Sequence, residues 1–277
     1  MNKNNPNNQK IKCSVGILTF NSGSTLRKCL ESVMEFAEII ICDGGSTDDT
    51  IAIAEQFGCK ILTQAPAFKY KNGKIKDFSG VRNQTINAAS HKWFIYIDSD
   101  EYLSEYAVNE LRAICTQAVQ FDRVALLMPR MFSINDILIE HAASYPNYHS
   151  RVFHLDHVIG FKKRVHEQLV LKPGVTYAKL SHPVIVPLDT NTEDIKRKHS
   201  YYLSIEREKI AHLRLPQRVR VFYRTMRTIV VRICKVVYLR LFRRGVKLPL
   251  IQDWLAIRYH AVLLMIILSP GANKQTA

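Results

Sequence analysis

The stretch Phe94-Ile95-Tyr96-Ile97-Asp98-Ser99-Asp100-Glu101 constrains the fold of this chain most. A short apolar run that stops abruptly at acids reads as a buried strand of a parallel sheet. Open α/β sheets bind ligands outside the carboxyl ends of their strands. Carboxylates gathered at such an end are costly unless a cation neutralises them, and a hard divalent metal carrying substrate phosphates does so. A solvated acidic turn is the plain alternative for any single Asp-x-Asp.

The surrounding sequence supports the strand. Apolar runs at Cys13–Leu18, Glu38–Cys42, Lys60–Thr63, Trp93–Ile97 and Val124–Met128 alternate with helical patterns at Thr25–Phe36, Ile51–Phe57, Ser79–Ala89 and Ser104–Val119. That alternation predicts a doubly wound, mostly parallel sheet. Ser46, with Asp49 three residues on, reads as a helix N-cap. Ala65–Asp77, with Gly73, is a polar loop long enough to be functional. Residues 130–190 lack long helical periodicity and read as hairpins and loops over the sheet edge.

In a parallel sheet, strand ends from distant sequence meet on one edge. Thr19 and Asn21 close the first strand, Asp43-Gly44-Gly45-Ser46 the second, and Asp98-Ser99-Asp100 the fourth. Asp43 there can accept a hydrogen bond from a nucleobase, and the glycines allow a tight turn. Arg82, on the approach to the fourth strand, can reach a diphosphate. Each residue alone has a structural alternative: a turn for Asp43, a local ion pair for Arg82, a cap for Ser46.

Together, Ser14–Asn21, Asp43-Gly-Gly-Ser-Thr-Asp48, Val81-Arg-Asn83 and Asp98-Ser-Asp100 resemble the successive motifs of family 2 glycosyltransferases of GT-A fold. The resemblance is specific over residues 12–115 and thinner onward through Arg164-Val-His-Glu-Gln168. It is nearest to bacterial enzymes that add a sugar to lipopolysaccharide core or related surface glycans. It implies a nucleotide-sugar donor, usually a UDP-sugar, a Mg²⁺ or Mn²⁺ ion, and inversion at the anomeric carbon. It also implies that Asp43 binds the base, Asp98 lies near the ribose, and Asp100 ligates the metal with Asp98 beside it; Ser99 lies with the donor residues. Gly44 departs from the pattern, since many members carry a second acid there.

An inverting transfer needs a base to take the acceptor hydroxyl's proton. Glu167 is the choice, because it matches a His-Glu element of the resembling enzymes, and Asp156 is the alternative. His182 and Arg151 are further candidates for a phosphate or metal contact. Two other functions stay open: a nucleotidyltransferase, disfavoured by the absence of a Gly-rich basic loop after the first strand, and a non-catalytic membrane-bound sugar-nucleotide-binding protein.

Charge divides the chain. Residues 195–277 hold 18 Lys/Arg against 3 Asp/Glu, so the whole net charge of +15 lies there and residues 1–194 are neutral. The expected organisation is a disordered polar N-terminus (1–11), a catalytic domain (12–194, donor half to about 128, acceptor half from about 129), and a basic helical extension (195–277). Within the extension, Tyr223, Met226, Val230, Ile233, Val237 and Leu241 form one helical stripe with arginines largely off it. That pattern suits an anionic membrane surface. Leu255–Leu268 is too short for a typical span of about 20 residues, so monotopic attachment is expected, at the cytoplasmic face of the inner membrane. No nucleic-acid module accompanies the charge. The six cysteines form no metal-ligand spacing, and Met1–Lys10 lacks the apolar core of a signal peptide.

Overall fold

The structure is a computed structural model that describes residues 9–70, 75–116, 123–164 and 167–269. The expectations for residues 1–8, Gly73, the end of the fourth helix and the Val165-His166 pair fall outside the described residues. The chain divides into two compact units: 1–131 with 146–186, and 132–145 with 187–277.

The first unit is α/β. Strands β1 (Ile11–Thr19), β2 (Phe36–Asp43), β3 (Lys60–Thr63) and β4 (Trp93–Asp98) are parallel in the order β3-β2-β1-β4. Helices α1 (Gly23–Val33), α2 (Thr50–Gln56), α3 (Phe78–Asn87) and α4 (Glu105–Thr116) follow the connections, and β5 (Tyr102–Leu103) precedes α4. Consecutive residues Cys13, Ser14 and Val15 of β1, and Ile17 beyond them, are fully buried, as in a strand covered on both faces. Helix α1 ends at Val33 rather than at the expected Phe36, because Phe36 is buried in the sheet core and opens β2.

The hairpins expected after residue 130 are present, and more of that segment is sheet than expected. β6 (Val124–Ile134) runs beyond its expected end at Met128, turns through Asn135 and Asp136 at φ 48° and 62°, and pairs with β7 (Ile137–Leu138). Consecutive positive φ values are the signature of a tight hairpin turn, and Asn and Asp tolerate them best. β8 (Tyr148–His154) lies antiparallel between β4 and β6, so the sheet is parallel in its first half and mixed beyond. β9 (Val158–Lys162) and β10 (Gln168–Leu171) form a separate hairpin. β11 (Thr176–Lys179) pairs with β6, and β12 (Val184–Pro187) with β5.

The second unit is built on α5 (Thr192–Ala211), α6 (Leu215–Phe242) and α7 (Leu250–Leu268). Ile210 of α5 packs with Leu263, Ile266 and Ile267 of α7. The segment 139–145 belongs to this unit and packs against Leu248. α6 starts eight residues before the expected stripe, at a Pro-containing first turn where Gln217 Oε1 accepts the Arg214 N–H at 3.0 Å.

Candidate active site

The edge of the sheet where β1, β2 and β4 end is knitted by its own hydrogen bonds. Thr19 pairs with Asp43, and Leu18 with Asp98, so Asp43 and Asp98 flank β1 at about 10 Å, two strand spacings. Asp43 is almost completely buried and accepts four bonds: Thr19 Oγ1 at 2.8 Å, Ser46 Oγ at 2.6 Å, and the Gly45 and Ser46 N–H groups at 2.7 and 2.8 Å. Burial pushes its carboxyl up, but these bonds outweigh it and hold it below the usual carboxylate range. Ser46 is therefore no helix cap, contrary to expectation; α2 starts after Asp49, and Ser46 serves Asp43 and accepts the Asn21 N–H at 2.8 Å. Asn21, at φ 50°, accepts the Thr47 N–H at 2.8 Å, and Ser99 Oγ bonds Ser22 Oγ at 3.0 Å.

The two glycines have distinct reasons. Gly45 has φ 96°, a backbone that L side chains rarely adopt. A β-carbon on Gly44 would lie 3.0 Å from Phe20 Cδ2 and 3.2 Å from Gln64 Oε1. Gln64 is fully buried and its Oε1 has no hydrogen-bond partner, so an acid at position 44 would be pressed against a buried acceptor. The departure from the resembling motif thus fits this chain's packing.

Beside this turn lies a chain of alternating charges. Arg82 Nη2 donates to Asp98 Oδ1 at 3.0 Å and Arg82 Nε to Glu167 Oε1 at 2.7 Å. Arg151 Nη1 meets Glu101 Oε2 at 2.6 Å and Arg151 Nη2 donates to Glu101 Oε1 at 2.8 Å, with Asp98 Oδ2 at 3.6 Å. Arg130 Nη2 donates to Glu101 Oε1 at 3.1 Å. Tyr96 lies between the guanidinium groups of Arg82 and Arg151, 4.2 and 4.9 Å from its ring centroid. Three arginines thus meet three carboxylates. Burial pushes the Asp98 carboxyl up, but Arg151 and Arg82 overcome it and bring it down to about 2. Burial works against the Arg82 charge, yet Asp98 and Glu167 raise its pKa. His149, two residues before Arg151 on β8, is lowered to about 4 by burial and by Arg130 and Arg151.

Adjacent residues of α3 bring Glu167 here. Asp77 caps α3 by accepting the Gly80 N–H at 3.0 Å, and Arg82 points into the network. Asn83 clamps the β9–β10 hairpin, donating to Phe161 O at 3.0 Å and accepting the Phe161 N–H at 2.8 Å. Glu167 directly precedes β10.

Glu167, Arg82, Asp98 and Arg151 are therefore brought together. Arg151 is 2% exposed, and its expected phosphate contact gives way to a structural pairing with Glu101 and Asp98. Asp156 is corrected outright. It follows β8 beside Trp93, at the opposite end of β4 from Asp98, and is paired with Lys92 at 2.9 Å. His182 is not at the cluster either: its ring stacks on Tyr106 at 5.5 Å, and its N–H donates to Glu110 at 3.0 Å. Glu101, Arg130, His149 and Tyr96 had been given no role. The available signal was charge inside strand patterns, since Arg130 and Arg151 interrupt runs that otherwise bury their side chains and so demand partners.

Among the described residues no group of three His, Cys, Asp or Glu could hold a metal. Asp98 is engaged by two guanidinium groups, and Asp100 is exposed. A divalent ion that keeps waters and diphosphate oxygens needs only one or two protein carboxylates. The residues fit that kind of substrate-completed site rather than an all-protein cage.

Residues 14–121 match the family described as glycosyl transferase family 2. The SPbeta prophage-derived glycosyltransferase SunS of Bacillus subtilis is 30% identical over 159 residues, 55% of this chain and 33% of SunS. The lipopolysaccharide core biosynthesis glycosyltransferase LpsC of Rhizobium meliloti is 30% identical over 102 residues, 37% of this chain and 36% of LpsC. The chain thus spans about a third of the length of these relatives. A crystal structure of S. aureus TarS in complex with UDP covers 95% of this chain, which covers 93% of it, at 12% identity and a TM-score of 0.45. The matched segment, residues 14–121, is the one that carries Asp43, Arg82, Asp98 and Asp100.

Proposed function

We propose that this chain is an inverting, metal-dependent glycosyltransferase. It moves a sugar from a nucleotide-sugar, a UDP-hexose, to a hydroxyl of a lipid-linked or cell-surface glycan such as lipopolysaccharide core. The observation that carries this reading is the Asp98–Arg82–Glu167 link: one guanidinium joins the acid motif of the donor domain to the carboxylate chosen as base. LpsC, by its name, supports the acceptor class.

Each residue then has one task. The Asp43 turn holds the donor's base end, with Thr19, Asn21 and Ser46 fixing its shape. Arg82 faces the diphosphate and keeps Glu167 oriented. Glu167 takes the proton from the acceptor hydroxyl as its oxygen attacks the anomeric carbon from the face opposite the leaving diphosphate. Asp100, with Asp98, would hold Mg²⁺ or Mn²⁺, which supplies charge neutralisation for the leaving group. Arg151 and Arg130 fix Asp98 and Glu101 and touch no substrate.

The proposal includes the membrane. The stripe residues Tyr223, Met226, Val230, Ile233, Val237 and Leu241 are all exposed along α6, and arginines flank them. α7, at 19 residues, is longer than its expected 14-residue core and long and apolar enough to cross a bilayer by length and composition. The expectation that it is too short therefore fails. Its Asp253 is buried and 3.7 Å from Arg232 of α6, which supports a helix packed on α6 and peripheral rather than spanning attachment.

The test is product release from a panel of nucleotide-sugars with and without Mn²⁺. Free nucleoside diphosphate is expected, lost with chelator and lost in Asp100→Ala at unchanged circular dichroism. Pyrophosphate as product would identify a nucleotidyltransferase. Full turnover of Asp100→Ala would sink the metal assignment.

A further inference from the structure

Outside the transfer site, one cavity concentrates cations. It lies along α6 and is lined by Arg224, Arg227, Thr228, Val231 and Arg232, with Ala143 closing one side, and its volume is about 260 Å³. Positions 224, 227, 228, 231 and 232 repeat at three and four residues, so they share one face of the helix. Three arginines line the cavity, and among the described residues the carboxylate paired with one of them is Asp253, 3.7 Å from Arg232. One turn on, Lys235 donates to Tyr145 O at 3.3 Å on the same side.

Forked guanidinium donors around a small space suit a tetrahedral oxyanion, which they bind bidentately. The volume falls below that of usual small-molecule pockets, about 300–1,000 Å³, and admits a phosphate with little attached. The Arg227 edge of the cavity borders an exposed apolar stripe, since Tyr223 lies four residues before it and Val230 three after, and Met226, Ile233 and Val237 continue that stripe farther round the helix. A soluble phosphate has no use for that face, whereas a lipid presents its phosphate directly above its acyl chains. We propose that this cavity binds the phosphate of an anionic lipid headgroup while the apolar face enters the interface. The inference rests on the membrane-surface reading of the helical unit and adds a specific headgroup site to it.

The full chain is tested by co-sedimentation with phosphatidylcholine vesicles containing phosphatidic acid. Arg224→Gln/Arg227→Gln is compared with Lys198→Gln/Arg207→Gln, which removes the same charge from exposed positions of α5. Loss of one charged hydrogen bond predicts about a tenfold larger drop in affinity for the cavity variant. Arg224→Lys/Arg227→Lys, which keeps the charge and loses the fork, is expected to fall between wild type and the Gln variant. Thermal melts of each variant confirm folding. Equal losses in both Gln variants would overturn the headgroup site and leave diffuse membrane attraction standing. Failure of the wild type to bind any vesicle would overturn the membrane reading itself. Saturable binding of inorganic phosphate that vesicles do not displace would assign the cavity to a soluble anion and overturn the lipid.

Discussion

In the α/β unit, Arg82, Arg130 and Arg151 meet Asp98, Glu101 and Glu167 within hydrogen-bonding distance. In the helical unit, Arg224 and Arg227 line an open cavity, and the only described carboxylate near its third arginine is Asp253. Cations cancelled inside the chain fix geometry, because each buried charge would be costly without its partner. Cations left to solvent contribute little to stability and instead answer to whatever anion arrives. Under the function proposed above, the first set would build the reaction site and the second would serve attachment.

The largest effect expected is on turnover. Glu167→Gln should lower it by about 10²–10⁴-fold while leaving donor binding near wild type, the range for loss of a general base. Steady-state rates with a donor-binding titration check it, and an active Glu167→Gln would remove the site's link to acceptor chemistry. Next comes stability. Arg151→Met leaves Glu101, which is 1% exposed, with Arg130 in place of two guanidinium partners, and should cost about 3 kcal/mol in denaturant unfolding. Arg227→Gln should change stability by no more than about 0.5 kcal/mol. Similar values for the two would erase the contrast between the units.

An effect smaller than that of Arg151→Met concerns pH. His149 has a folded-state pKa of about 4, below its ordinary value of 6.5. Between these values the unfolded chain binds the proton and the folded chain does not. Its share of stability is therefore complete above pH 6.5 and is lost as pH falls toward 4. His149→Gln should flatten the stability curve in that window by about 1–2 kcal/mol, a figure reduced for partial solvent screening. An unchanged slope would place His149 outside the charged network.

The strand ends were legible because apolar runs stop sharply at polar residues, and parallel topology then brings Asp43 and Asp98 to one edge. The Arg82–Glu167 contact was not, since it joins residues 85 apart through a hairpin that no periodicity specifies. Arg151 and Arg130 were unreadable as a pair for the same reason; sequence shows a charge in a strand but not its partner. Ser46 misled because an Asp-Gly-Gly-Ser turn and a capping box use the same residue types. On α6 the stripe itself was readable from spacing. The cavity was not, because Ala143 comes from a segment about 80 residues earlier.

Asn83 deserves a last consequence. It follows Arg82 by a single peptide, and it clasps Phe161 with both of its amide atoms while lying 2.9 Å from the place a β-carbon on Gly160 would take. The arm that carries Glu167 is thus hinged to the same half-turn of helix from which Arg82 reaches Asp98. Any drift of α3 carries both ends together, like two jaws riding on one carriage. Their spacing is set by the backbone of one helix rather than by the looser seam between a sheet and its hairpin.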